Sequence, residues 1–235
     1  MKTAESATGT AKSGGVLETV EITTGDQPTA AVVWLHGLGA DGHDFEPIVP
    51  WLRWAGAPSV RYVFPHAPVR PVTVNGGMRM RAWYDIRGFQ IDRDQDEQAI
   101  LESVEQATAL VRREQERGIA AERILVAGFS QGGAIAINVV LNAAAKLAGL
   151  MALSTYIALP DAVESGGGDR SLPVFMAHGS FDPMLPIAWG RSSAETLEAS
   201  GFRVEWHEYP MAHAVCAEEI AHIRQWLLRV FDAAE

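Results

Sequence analysis

Cysteine is nearly absent from this chain. Its 235 residues include one, Cys216, so no disulfide can form within the chain, and a reducing, cytoplasmic setting is expected. A lone thiol cannot build a zinc site, and no pair of histidines stands at ligand spacing with a carboxylate, so no metal is expected. Positive charge is scarce: 19 lysines and arginines face 29 aspartates and glutamates, for a formal net charge of −10. With no basic cluster to neutralise phosphates, a nucleic-acid partner is excluded. The glycine-rich segments lack the Gly-Lys-Ser/Thr ending of a phosphate loop, which argues against nucleotide binding. Residues 1–15 are polar and small and lack the apolar centre of a signal peptide. They read as a loose leader ahead of a single domain over 16–235. One long apolar stretch, Ala134 to Leu153, is interrupted by Asn138, Asn142, Lys146 and Gly149. A buried helix followed by a buried strand explains it better than a membrane span, so no stable membrane insertion is expected.

What is present is a regular alternation of strand-like and helix-like segments from about residue 30 onward. Ala30–His36, Val60–Phe64, Ile124–Phe129, Gly149–Ser154, Pro173–Ala177 and Arg203–Tyr209 read as strands. Asp92–Arg117 reads as a long helix, with Ile100, Val104, Ala107 and Val111 at helical spacing. Its aspartates (92, 94, 96) crowd the start and Arg112, Arg113 and Arg117 the end, an order that complements the helix dipole. Ile187–Ser200 and Glu218–Phe231 complete the helices, and Ser165–Gly168 reads as a flexible loop. Such alternation predicts an α/β fold with a mostly parallel sheet covered by helices on both faces.

The sharpest motif is Gly128-Phe129-Ser130-Gln131-Gly132. Strand, tight turn and helix in succession form a nucleophile elbow, which lifts a serine hydroxyl clear of its surroundings. The flanking glycines fit where strand and helix come too close for a side chain. Serine is a weak nucleophile alone and needs a base, and the base needs a carboxylate to hold its tautomer. The order Ser, Asp or Glu, then His is met by Ser130, Asp182 and His213, the latter two on loops after strands. Of the seven histidines, His207 falls in a strand and His222 in a helix, and His43 and His66 come too early. His36 and His178 precede glycines at strand ends, where bonding to loop backbone is the simpler role. Asp161 and Asp169 are the competing carboxylates, on a loop after an earlier strand. Oxyanion donors are expected from the backbone N–H of Gln131, at the helix start, and of Leu38, in the loop after the early strand.

Six segments occur together and in order: His36–Gly42 (HGLGADG), Phe64–Pro68 (FPHAP), Ala82–Asp85 (AWYD), Gly128–Gly133 (GFSQGG), His178–Pro183 (HGSFDP) and Met211–His213 (MAH). From about Val32 to its end the chain resembles the bacterial carboxylesterase branch of the acyl-protein thioesterase/lysophospholipase family, within the α/β hydrolases. The resemblance implies an α/β-hydrolase fold, a Ser130–Asp182–His213 triad, Leu38 and Gln131 as oxyanion donors, and no cofactor. It implies a pocket loop between Pro68 and Trp83 with Trp83 near the substrate, and some members pair as homodimers across the active-site face. Phe89, Met78 and Met80 join Trp83 as expected pocket residues, since methionines suit contact with flexible chains. Ala214 stands where many relatives have a small polar residue or glycine, and Pro71–Arg81 carries Asn75-Gly76-Gly77 and two arginines. Those departures bear on substrate choice. The expected activity is serine carboxylesterase action on short to medium acyl esters. Thioesterase or lysophospholipase action is the alternative, and an inert binding protein of the same fold is the non-enzyme rival.

Overall fold

The six-residue segment Ala30–Leu35 (β2) is buried at every position, as only a strand covered on both faces can be. In the computed structural model, which describes residues 17–88 and 95–232, it lies inside a seven-stranded sheet. The others are β1 (Thr19–Thr23), β3 (Val60–Pro65), β6 (Ile124–Phe129), β7 (Gly149–Leu153), β8 (Pro173–Gly179) and β9 (Arg203–Tyr209). Their order is β1-β3-β2-β6-β7-β8-β9. All neighbours are parallel except β1, which runs antiparallel to β3 with Val20 opposite Phe64. A separate hairpin pairs β4 (Val69–Val72) with β5 (Met78–Arg81).

The strand period of two divides the core. Ala31, Val33, Leu35, Val126 and Val174 face α1 (Glu97–Glu116), α2 (Gln131–Leu141) and α4 (Ile187–Ala199). Ala30, Val32, Trp34, Leu125 and Phe175 face the 3-10 segment Glu46–Leu52 and α5 (Ala217–Asp232). A short α3 (Asp161–Ser165) adds Val163 to the first layer. The expected mostly parallel sheet with helices on both faces is the observed one. The Ala134–Leu153 stretch divides between α2 and β7, and among the described residues no helix is long and apolar enough to cross a membrane.

Several details differ from the sequence reading. Helix α1 starts at Glu97, capped by Asp96, whose carboxylate accepts from Ala99 N–H at 3.3 Å. Asp92 and Asp94 lie outside the described residues, as do the 1–15 leader and Phe89. The basic end of α1 does more than offset a dipole. Arg113 and Arg117 reach Glu21 on β1 at 2.7 and 3.0 Å, while fully buried Glu114 binds Arg61 of β3 at 2.7 Å. The Ser165–Gly168 stretch is tied rather than loose. Gly166 N–H bonds Ala162 and Gly168 N–H bonds Leu141, each at 2.9 Å, and both glycines abut backbone carbonyls at the end of α2.

Candidate active site

Ser130 has φ 54° and ψ −121°, a backbone conformation that costs about 1–3 kcal/mol for a non-glycine residue. The crossing that imposes it is tight. A Cβ on Gly128 would overlap the Gly132 carbonyl, and one on Gly132 would come 2.5 Å from the His36 carbonyl oxygen. The strained residue is clamped through its own peptide groups. Its N–H donates to Leu153 O at 2.9 Å, and its carbonyl accepts from Thr155 Oγ1 at 2.7 Å.

Asp182 and His213 are joined directly, His213 Nδ1 lying 2.6 Å from Asp182 Oδ2. The Asp182 side chain is fully buried, so its charge must be met by hydrogen bonds. Its Oδ1 accepts from the N–H groups of Met184 and Leu185 at 2.8 and 2.9 Å. The Asp182 and His213 loops are also tied to each other. Phe181 N–H donates to Met211 O at 3.0 Å, and Ser180 N–H to Tyr209 O at 2.8 Å. Ser130, Asp182 and His213 thus sit just past the C-terminal ends of β6, β8 and β9, where ligands gather in parallel sheets. Phe129 closes the gap between the elbow and the imidazole, its ring centroid 4.7 Å from that of His213. Among the described residues the Ser130 hydroxyl does not hydrogen-bond the imidazole, a bond that in unliganded sites often forms only with substrate present.

The two histidines expected to bond loop backbone do so. His36 Nε2 accepts from Ala67 N–H at 3.1 Å, which leaves the proton on Nδ1 to donate to Gly37 O at 2.7 Å. Burial depresses its pKa to about 4. His178 is buried beside Asp182, with Nε2 2.9 Å from Leu185 O and 3.4 Å from Asp182 Oδ2. Burial lowers its pKa as well, so it stays neutral and donates to the Leu185 carbonyl.

Leu38 lies in the loop that follows β2, and Gln131 opens α2, so the Gln131 N–H is one of the helix's orphan donors. The Leu38 N–H has no intramolecular acceptor among the described residues, although Gly39 beside it donates to Arg81 O at 2.9 Å.

Of the expected pocket residues Phe89 lies outside the described residues, and the other three differ in exposure. Trp83 is fully buried, and its indole N–H donates to His36 O at 2.9 Å, so it supports the site from beneath instead of lining an open pocket. Met78 is 64% exposed on the hairpin. Met80 lies beside the Leu38 loop, its sulfur 3.7 Å from where a Gly39 Cβ would stand. Phe181 and Met184, about 70% exposed on either side of Asp182, were missed, because the run Phe181-Asp182-Pro183-Met184 carries no periodicity that marks an exposed apolar flank. A groove of about 780 Å³ lies at the N-terminal ends of β7, β8 and β9, lined by Lys146, Pro173, Arg203 and Trp226 among others, away from Ser130. Among the described residues no cluster of histidine, cysteine and carboxylates could hold a metal.

Residues 17–230 match the family described as Phospholipase/Carboxylesterase. The chain is 39% identical to acyl-protein thioesterase 1 of Neurospora crassa over 212 residues, covering 85% of this chain and 86% of that one. It is 35% identical to acyl-protein thioesterase 1 of Cryptococcus neoformans over 231 residues, covering 90% and 97%. Among solved structures, SOBER1 of Arabidopsis thaliana superposes with a TM-score of 0.80 at 29% identity, covering 86% of this chain and 99% of that one. Acyl-protein thioesterase 2 of Zea mays superposes with a TM-score of 0.73 at 25% identity, covering 91% and 99%. With the α/β-hydrolase sheet, the elbow and these relatives in agreement, the chain belongs to the phospholipase/carboxylesterase family and is a serine hydrolase.

Proposed function

We propose that Ser130 is the nucleophile of a carboxylesterase acting on short to medium acyl esters, with His213 as base and Asp182 as its orienting acid. The observation that carries the reading is the 2.6 Å contact between His213 Nδ1 and a buried Asp182 oxygen, at the C-terminal end of the sheet that also presents the strained serine. With Asp182 holding the proton on Nδ1, the free Nε2 takes the Ser130 proton as Oγ bonds to the acyl carbon. The carbonyl π pair moves to oxygen, where the N–H groups of Leu38 and Gln131 meet the charge. On collapse the alcohol leaves with the proton from Nε2, giving an acyl-enzyme. Water attacks next, losing its proton to Nε2, and the acid departs as the proton returns to Ser130.

Labelling with a fluorophosphonate and a p-nitrophenyl ester series of rising chain length test this. Stoichiometric labelling at Ser130, lost in Ser130→Ala together with turnover, is expected. Full turnover in Ser130→Ala refutes the assignment, and no turnover at any length refutes the esterase reading. Thioester hydrolysis is the second reading, favoured by the names of the fungal relatives. A palmitoylated peptide thioester turned over faster than every oxygen ester would make it the first.

A further inference from the structure

Beneath the two oxyanion donors lies a set of buried polar contacts that the triad does not use. The Gln131 side chain is 2% exposed and fully engaged: Oε1 accepts from Trp83 N–H and Nε2 donates to Tyr84 O, both at 2.8 Å. The amide thus clamps the backbone of residues 83–84 through one donor and one acceptor. The Trp83 indole then reaches the His36 carbonyl at 2.9 Å. Gly132 packs against that same carbonyl, so His36 O meets both the elbow helix and the indole.

The loop beyond is tied at nearly every peptide. His36 binds Gly37 O and Ala67 N–H through its ring, and Gly39 N–H binds Arg81 O. The Gly37–Leu38 peptide, held at its oxygen by the His36 ring, carries the Leu38 N–H, which has no partner among the described residues. We propose that Gln131 and Trp83 are positioning residues whose side chains, through the His36 carbonyl, fix the distance between the Leu38 and Gln131 N–H groups. The inference rests on reading those two groups as the oxyanion donors. The physical need is plain: an oxyanion hole works only if both donors stand at bonding distance from one point before charge develops. The two donors, one on the loop after β2 and one at the start of α2, share no covalent frame. Gln131 supplies one, since its backbone N–H is a donor and its side chain starts the chain of contacts that ends one peptide short of the other.

A merely structural role and a positioning role separate in the transition state. Gln131→Met keeps the side chain's length and removes both of its hydrogen bonds. Trp83→Phe keeps a ring and removes the contact to His36 O. Each variant is titrated with a fluorophosphonate so that rates refer to competent sites, then assayed with p-nitrophenyl butyrate and with butylboronic acid as inhibitor. Boron accepts the Ser130 oxygen and becomes tetrahedral, with a boron-bound oxygen in the oxyanion position. For each variant kcat is expected to fall by about 10- to 100-fold, the scale set by loosening rather than deleting a donor. KM should stay within about threefold while the boronic acid Ki weakens by the same factor as kcat, the mark of an interaction made only in the transition state. Tyr156→Phe, which deletes the adjacent Tyr84–Tyr156 hydroxyl contact at 2.8 Å, should leave kcat per site unchanged. Should Gln131→Met not fold, Trp83→Phe carries the same readouts. A per-site kcat within about threefold of the parent, or a reduced kcat with an unchanged boronate Ki, overturns the proposal while leaving the triad intact. A parent enzyme that fails to titrate at Ser130 overturns the triad and the proposal together.

Discussion

Replacing Asp182 by asparagine should nearly abolish turnover without disturbing the fold, and the surroundings of the side chain say why. The asparagine can sit in two ways. With its oxygen where Oδ1 now accepts from Met184 and Leu185 N–H, at 2.8 and 2.9 Å, its NH₂ replaces Oδ2 and points at His213 Nδ1, 2.6 Å away. The flipped amide keeps an acceptor for His213 but sets two hydrogens against two backbone N–H groups in a buried place. That sacrifices two hydrogen bonds and leaves both donors unmet, at about 1–3 kcal/mol each. The unflipped form sacrifices nothing if the imidazole moves its proton to Nε2 and accepts from the amide with Nδ1. The remaining contact against it, His178 Nε2 facing the NH₂ across 3.4 Å, is long and weak. The asparagine therefore selects the tautomer in which Nε2 carries a proton and cannot take one from Ser130. Loss of the correct tautomer costs about 10⁴-fold in kcat, or about 5.5 kcal/mol of barrier. The assay is kcat for a p-nitrophenyl ester per fluorophosphonate-titrated site, with ¹⁵N shifts of His213 recording which nitrogen is protonated. A kcat within about tenfold of the parent would refute the reasoning, as would a His213 still protonated on Nδ1.

Four further outcomes follow from groups outside the proposed triad. Glu219 is fully buried at the start of α5, and burial raises its pKa from 4.5 to about 8. The folded state then holds a proton that the unfolded state releases, so stability should fall as pH rises from 4.5 toward 8, by up to a few kcal/mol, on the order of the shift. His36 acts on the acid side: its pKa is depressed to about 4, so the unfolded chain takes a proton first and stability should fall as pH drops from 6.5 toward 4. Urea unfolding across pH reads both, and Glu219→Gln should flatten the alkaline decline; an unchanged decline contradicts the assignment. Glu114→Gln leaves Arg61, whose side chain is 13% exposed, without its buried carboxylate; a loss of about 3–5 kcal/mol is expected, with a shift under 1 kcal/mol as the contrary result. Thr155→Val deletes the 2.7 Å bond to the Ser130 carbonyl and keeps the shape, leaving that carbonyl its bond from Ala134 N–H at 3.2 Å; a loss of about 0.5–1.5 kcal/mol by thermal unfolding is expected, and an unaltered Tm would show that the bond carries none of the strain.

The central sheet was readable because burial on both faces removes alternation and leaves unbroken apolar runs such as Ala30–Leu35. The elements that were missed are the ones burial does not mark. Strand β1 shows one intermediate or exposed position after another, and Arg70 and Pro71 break any apolar pattern in β4. Asp182 and His213 could be placed on loops by chain order, but the backbone donors that fix Asp182 come from Met184 and Leu185, whose residue types carry no such signal. The burial of Trp83 was illegible for a related reason. A tryptophan near an active-site loop serves equally as a pocket wall or as a buried strut, and the choice turns on whether its N–H finds a partner inside. The partner is a carbonyl 47 positions away, a contact made by the fold and invisible to local pattern.

The strain at Ser130 is better understood with its neighbour. Ser154, the first residue past β7, also has a positive φ, 44°, and its N–H donates to Ala177 O at 2.7 Å on the next strand. Two adjacent parallel strands thus end in non-glycine residues with left-handed φ, and each is held by a carbonyl of the strand beside it. Leu153 O takes the Ser130 N–H, and Thr155, just past Ser154, returns a hydroxyl to the Ser130 carbonyl. Gly133 completes the joint, since a Cβ there would lie 2.7 Å from Thr155 Cβ. The cost of lifting the serine is therefore spread over two strand ends and one helix start, none of which can relax alone. Such mutual restraint is what lets a costly backbone conformation persist in a folded protein. The first turn of α2, which carries the proposed Gln131 donor, is buried at every position, so the joint that holds the serine also holds that N–H.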